Sequence, residues 1–504
     1  MEKRRGGAEE VMSPVPDPPQ AEEPQPTRHA STASLSLERL PDDALVLVLQ
    51  HLDVPSLLTC RVVSKRLGAL ALHRDSWRHR VVGGHVLVRS CVCPELRLAP
   101  CVRVLRVSTN FNKPPPCLQV ALAWTRCAAA ELRLDVHQGA GDAQAAAALI
   151  YRQEALGRLR SIRLFMSFFS NAADLSLAAA AAMTPGVEKL EVSVLALGVQ
   201  TTPLRHDCVV LTPSLRYFKC QLNPKTAPYV NFVLAGHAAT LETVELGCGL
   251  DSMACVATGP LLARLPKLSK LICWNIPGVE DVAACGSLRD LQLTVRTETE
   301  HRGAVAGAAA LLRRASQLLK IKVTYSPGTP DVDVDVVRAL GSSGRACVES
   351  LEIYNWTDDN HWHHFCHLQE LISAIPSLPA LRHLRVGVNS VQQLDELARA
   401  ITSTTAPALR TVDLGLGKGA CGHAWLHGDA FQSLMSMNPL LHFSLDSLPL
   451  YCADDEFCQA CGQGCHVIVK KPEGFDFHLF WHDFDTNCPQ EHSVKSHQFQ
   501  WVLF

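Results

Sequence analysis

Between residues 102 and 440 one short apolar template, apolar-x-x-apolar-x-apolar, returns thirteen times. It begins as Val102/Leu105/Val107, Ala129/Leu132/Leu134, Leu159/Ile162/Leu164 and Val187/Leu190/Val192, and ends as Leu409/Val412/Leu414 and Leu440/Phe443/Leu445. The twelve intervals average about 28 residues. Alternate residues of a strand face opposite ways, so the last two apolar positions belong on one side of a short strand. Each strand is followed by a stretch with helical potential, such as DAQAAAALIYRQEALGRL or AVAGAAALLRRASQLL. One strand and one helix cannot bury their apolar sides alone. Thirteen such pairs stacked on one another can, with parallel strands on the concave side and helices on the convex side. A single compact core is excluded by length, so several domains or an elongated repeat are expected of 504 residues.

The spacing lies in the 20–29-residue class of leucine-rich repeats, and the segment resembles that family. The resemblance implies an α/β solenoid, a horseshoe of about 13 repeats spanning residues 83–447. Two departures stand out. The chain lacks the Asn or Cys ladder of tidier repeats, and intervals of 20 and 33 residues leave the register near residues 288–320 open.

Ahead of the repeats lies ERLPDDALVLVLQHLDVPSLLTCRVVSKRLGALALHRDSW. Leu45, Val48, Leu49 and Leu52 keep helical spacing, Pro41 suits a first turn, and Asp42 and Asp43 sit at its positive end. Asp53 and Pro55 restart the pattern with Leu57, Leu58 and Val62, and a third segment carries Leu67, Leu70 and Trp77. Three short helices in about 40 residues make a marginal core, which suits a module that leans on a partner. The order of residues resembles the F-box: Leu40-Pro41, the acidic pair, the Leu/Val helix, an Asp-x-Pro turn, Cys60 to Arg66, and a closing Trp77. Together with the repeats, the chain is similar to F-box proteins with C-terminal leucine-rich repeats, the substrate receptors of SCF-type ubiquitin ligases. That resemblance implies docking of the Skp adaptor through Leu40, Pro41, Leu45, Leu49, Leu52, Leu58 and Val62, with cullin and RING subunits held indirectly. The F-box is expected over 35–82.

Composition narrows the rest. Lys plus Arg number 47 against 49 Asp plus Glu, so no general charge draws the chain to nucleic acid or an anionic membrane. No apolar run reaches the ~20 residues of a membrane span, and the first residues have no apolar stretch of a secretion signal. Twenty cysteines in 504 residues fall below the ~8–10% of disulfide scaffolds, so reduced thiols and a cytoplasmic or nuclear location are expected. Residues 1–34, rich in Pro, Glu, Ser and Ala, are expected to be a disordered tail.

On the concave face, the residue between the last two apolar positions points outward. The first three are Arg106, Arg133 and Arg163, and Trp274 and Tyr354 lie just after later templates. Such a column of guanidinium groups is either a paired network or an acceptor for an acidic or phosphorylated stretch of a protein target, with an apolar anchor near Trp274 and Tyr354. The last segment, 448–504, breaks the repeat and is rich in Cys and aromatic residues, so it is expected to be an end-cap. Cys458-x-x-Cys461 has zinc-knuckle spacing, with Cys465 and His466 following, but a second regular pair is lacking. Packing thiols are the expectation there and structural zinc the alternative. No Gly-rich phosphate loop, GxSxG or HExxH is present, so a cofactor-free, non-catalytic receptor is expected. The rival reading is a leucine-rich-repeat scaffold or inhibitor whose helical start merely caps the solenoid.

Overall fold

Alternation along each template puts its apolar residues into a shared interior, and the computed structural model shows that interior. It describes residues 39–83, 92–108, 116–137, 140–168, 172–196, 212–248, 252–296, 301–325, 334–342, 347–355, 367–388, 390–416, 425, 428–438, 441–447 and 477–481. The expected tail 1–34 lies outside them, as does most of the expected C-terminal cap. Among the described residues no helix is long and apolar enough to cross a membrane.

The strands are β1 (Val81–Val82), β2 (Cys101–Ser108), β3 (Ala128–Val136), β4 (Ser161–Phe168), β5 (Lys189–Ala196), β6 (Tyr217–Leu222), β7 (Thr243–Cys248) and β8 (Lys270–Trp274). They continue as β9 (Asp290–Val295), β10 (Lys320–Tyr325), β11 (Ser350–Asn355), β12 (His383–Val388), β13 (Thr411–Leu416), β14 (His442–Ser447) and β15 (Phe477–Trp481). They form one sheet in chain order. Strands β1 to β14 run parallel, and β15 lies antiparallel on β14 with Phe443 opposite Trp481. Strands β2 to β14 coincide with the thirteen templates. The architecture is an α/β solenoid behind a helical start.

From Ala129/Leu132/Leu134 to Leu409/Val412/Leu414, no template residue is more than 5% exposed. In the first template Val107 is only half-buried, because β1 covers no more than Val104 and Leu105. Leu440 lies outside the described residues, and its neighbour Leu441 is buried. The register near 288 is regular, with Leu291 opposite Leu271 on one side and Ile321 on the other.

The convex side varies more than expected. Some repeats carry long helices, as at Ala140–Ala155 and Arg302–Arg314. The 20-residue step from β8 to β9 has only a 3-10 helix, Val279–Ala284, whose longer rise per residue spans the convex side with fewer residues. Gly278 enters it at φ 75°, and a Cβ on Gly259 would stand 2.5 Å from the Gly278 carbonyl, so the backbones touch. In place of an Asn ladder, a hydroxyl or thiol just before several templates reaches back to the preceding repeat. Ser214 Oγ donates to the Val187 carbonyl (2.8 Å), Thr240 Oγ1 to Leu215 (2.7 Å), Ser287 Oγ to Leu268 (2.8 Å) and Cys347 Sγ to Leu318 (3.5 Å).

The N-terminal module has four helical segments where three were expected: α1 (Asp42–His51), α2 (Val54–Val63), α3 (Lys65–Ala71) and α4 (Arg74–Trp77). Trp77 occupies a turn of its own because α3 stops at Leu72 and His73 caps a new start, its Nδ1 accepting from Asp75 N. One apolar core runs without a break from Leu45 through Trp77 and Val82 to Phe443. The module therefore closes the first end of the solenoid. Strand β1 follows α4 almost directly, and Gly83 beyond it takes φ 83° where a Cβ would strike the Arg106 carbonyl.

Candidate interaction surfaces

Capping sets the shape of the helical module. Asp53 accepts from Ser56 N at 2.9 Å and starts α2, and hydrogen bonds from Ser56 hold its carboxyl below the usual range. Ser64 accepts from Leu67 N and starts α3. Arg66 then reaches back across the module, with Nη2 2.6 Å from both Asp42 Oδ1 and the Leu40 carbonyl. Both partners of that ion pair are exposed, so it adds little stability, but it fixes where Leu40 and Pro41 lie.

Burial sorts the expected adaptor contacts into two groups. Leu45 and Leu49 are 2% and 3% exposed, so they pack the module and offer no surface to a partner; their assignment as contacts is corrected. Helix α1 turns Leu45, Val46 and Leu49 inward, which leaves Val48 exposed although it was expected on the apolar face. Leu40, Leu52 and Leu58 are half-buried, Pro41 is exposed, and Val62 is 79% exposed. Four of the eleven exposed large apolar side chains among the described residues lie here: Leu47, Val48, Val62 and Val63. Leu47 and Val63 were missed because the reading followed the buried stripe of each helix. The signal was present as apolar residues on the face that water should claim.

Trp77 and Arg80 lock this module to the sheet. Trp77 is fully buried and its Nε1 donates to the Ala71 carbonyl at 2.7 Å. The Arg80 guanidinium stands 5.9 Å from the Trp77 ring centroid and donates to the carbonyls of Leu49 and Ser76, each at 2.7 Å, and of Leu52.

The concave face is a second surface. Strand pairing puts Arg106 opposite Arg133, Arg133 opposite Arg163, and Arg163 opposite Glu191, so the expected column exists. It is not a bare column of cations. Glu131 Oε1 lies 2.6 Å from Arg133 Nε and 2.9 Å from Arg163 Nε, the second contact off the line of a hydrogen bond. Arg163 also meets Glu191 at 3.3 Å, and Lys189 meets Glu191 at 2.8 Å. Glu131 sits two residues before Arg133 and so shares its face. Reading one outward position per strand overlooked it. The paired network is the alternative that holds for Arg133 and Arg163. Arg106, at the head of the column, has a buried Nε with no hydrogen-bond partner among the described residues.

The pairing continues along the face, as Lys219–Glu245 (3.0 Å), Lys270–Asp290 (3.0 Å), Lys322–Glu352 (3.5 Å) and His383–Asp413 (3.7 Å). Tyr217 is drawn into it: Lys189 Nζ lies 4.3 Å from its ring centroid, while burial and a hydrogen bond to Glu245 push its hydroxyl well above the usual range. Trp274 and Tyr354 lie in the neighbouring outward row, on the same face but not in the arginine column. Arg296 covers Trp274 at 4.9 Å and Lys322 covers Tyr354 at 5.2 Å. Burial alone would lower the Lys322 pKa, but Tyr354 and Glu352 hold it raised.

The cysteines of the core behave as small apolar groups. Cys220 and Cys273 occupy template positions, and burial pushes both thiols up to about 12. Cys458, Cys461, Cys465 and His466 lie outside the described residues.

With these surfaces in view, comparison with known proteins is specific at one end only. A model of the F-box domain matches residues 37–79. Residues 37–79 are an F-box domain. Human "F-box only protein 3" is 49% identical over 47 residues, which cover 9% of this chain and 10% of that protein. The chain thus matches about a tenth of the length of that curated relative. The structure of a yeast Rad7 and Elc1 complex is 12% identical with a TM-score of 0.34, covering 78% of this chain and 93% of that one. That likeness is too distant to bear on fold or function.

Proposed function

We propose that this chain is the substrate-recognition subunit of an SCF-type ubiquitin ligase, without catalytic chemistry of its own. The F-box docks the Skp adaptor, the adaptor brings cullin and RING subunits, and the concave face holds a protein target. The observation that carries this reading is the group Leu47, Val48, Val62 and Val63, left exposed on α1 and α2 of a domain matched as an F-box. Exposed apolar side chains gathered in one small module mark a place where another protein sits. The rival scaffold reading draws on the continuous core, which makes the helical module a cap. A cap needs only its inner face to be apolar, so the outer four residues favour the ligase reading. Free, buried thiols along the core, among the described residues, support a reducing compartment, the cytoplasm or the nucleus.

Co-purification with the Skp adaptor tests the proposal. Leu47→Asp combined with Val62→Asp should abolish co-purification while the melting temperature of the full chain stays within a few degrees. Undiminished adaptor binding by that double variant would reject the docking surface.

A further inference from the structure

In one column of the concave face the charges stop midway, although Lys270 and Asp290 still pair in the row beside it. In the column that runs Arg163, Glu191, Lys219, Glu245, the next two residues are Ile272 and Gln292, and charge resumes only at Lys322. In the neighbouring row the same strands carry Trp274, Thr294 and Thr324, with Tyr354 beyond. Three strand steps of about 4.8 Å separate Trp274 from Tyr354, so two aromatic side chains stand roughly 14 Å apart over a floor of small hydroxyls. Ile272, Trp274, Gln292 and Thr294 are all partly exposed, so this stretch is open to contact.

We infer that this gap, and not the arginine column, is where the target binds, and that it takes an uncharged extended segment with an apolar side chain seated over Ile272 against Trp274. The inference rests on the receptor reading above and narrows its substrate class. Charge complementarity selects the occupant. Arg133, Arg163, Lys219 and Lys322 already have carboxylate partners, so a phosphorylated or acidic segment would have to break existing pairs to gain new ones. A charged residue over Ile272 would lose water and meet only groups already engaged, Lys270 with Asp290 and Arg296 with Trp274, which disfavours it. A neutral segment meets neither penalty. Trp274 supplies rigid area at the centre of the patch, the position where binding energy concentrates. Thr294 and Gln292 offer hydrogen bonds to its backbone.

The full chain bound to its adaptor, probed on an array of roughly ten-residue peptides, tests this. One set holds a single Leu or Phe among Ala, Ser, Thr, Gln and Gly; matched sets carry two phosphoserines or two lysines. The neutral set should be retained at least about tenfold better, with little change on adding salt. Ile272→Asp and Trp274→Ala should each reduce that retention about tenfold or more. Preference for the phosphorylated set, lost in Arg106→Glu, would overturn the inference, as would neutral retention indifferent to both gap variants or no retention of any set. Adaptor binding is read separately in each variant. Its persistence with no peptide preference sinks this inference alone, and its absence with peptide preference intact sinks the ligase reading alone.

Discussion

Arg80→Met asks how firmly the F-box is held to the solenoid. Methionine keeps a flexible apolar stem against Trp77 but removes the charge and three donors to the carbonyls of Leu49, Leu52 and Ser76. Two of those carbonyls end α1, where the helix dipole is negative and a cation is favoured. Burial lowers the Arg80 pKa, but a guanidinium stays charged at neutral pH. Hydrogen bonds from a charged donor are worth about 1.5–3 kcal/mol each. The site is half-buried and water replaces part of what is lost, so a total of about 3 kcal/mol is expected in place of the full sum. At about 1.4 kcal/mol per factor of ten, opening of the last turns of α1 should become roughly 100-fold more frequent. Hydrogen exchange on the full chain reads this directly in peptides covering α1, with peptides over β9 to β13 as the internal reference. Exchange in α1 that changes less than about twofold would show that Leu45 and Leu49 hold the helix by packing alone. Equal acceleration in the reference peptides would refute the local picture from the other side.

Two further outcomes follow from single residues. Gly83→Ala places a methyl group against the Arg106 carbonyl at a positive φ, so it should destabilise the full chain by at least about 2 kcal/mol; an unchanged melting temperature would contradict the close approach of these two backbones. His237 is buried, its Nδ1 accepts from the amides of Ser214 and Leu215, and its Nε2–H donates to the Ala182 carbonyl. Burial lowers its pKa, against a smaller opposing effect of the Ala182 bond. Below pH about 6.5 the unfolded chain takes up a proton that the native state refuses, so stability falls with pH until the folded pKa is reached. His237→Gln should therefore be less stable than wild type near pH 7, with the gap narrowing towards pH 5. A constant gap in thermal melts across that range would exclude the titration.

The fold was legible because the template dictates burial directly. Leu271, Leu291 and Ile321 share one layer even across the shortest repeat, since only that register puts every apolar residue inside. What stayed hidden depended on partners at a distance in sequence. Ser214, Thr240 and Ser287 look like loop residues until the preceding repeat brings a carbonyl to each. Glu131 was visible in the chain, but its role emerged only when strand pairing set it between Arg133 and Arg163. Likewise Leu45 and Val48 are alike as sequence, and the path of α1 over Trp77 and the core decides which is covered. Chemistry at positions within one strand or helix was readable. Chemistry made by two repeats was not.

The junction bears on how a receptor of this kind would work. The Arg80 carbonyl accepts from the amides of Arg103 at 2.9 Å and Val104 at 3.2 Å, while its side chain holds the end of α1. One residue therefore begins the sheet and anchors the F-box. Little slack separates the two parts, because α4 ends at Trp77 and β1 starts at Val81 with the core running through both. If the adaptor sits on Leu47 and Val62, its orientation is passed to the concave face through packed side chains, without a flexible tether. A target held over Ile272 would then be presented at a set distance and angle, which favours transfer to a limited set of its lysines. Loosening the junction by Arg80→Met should broaden that set in a reconstituted reaction while adaptor binding persists. A modification pattern identical to wild type, despite faster exchange in α1, would separate rigidity at this junction from the choice of lysine.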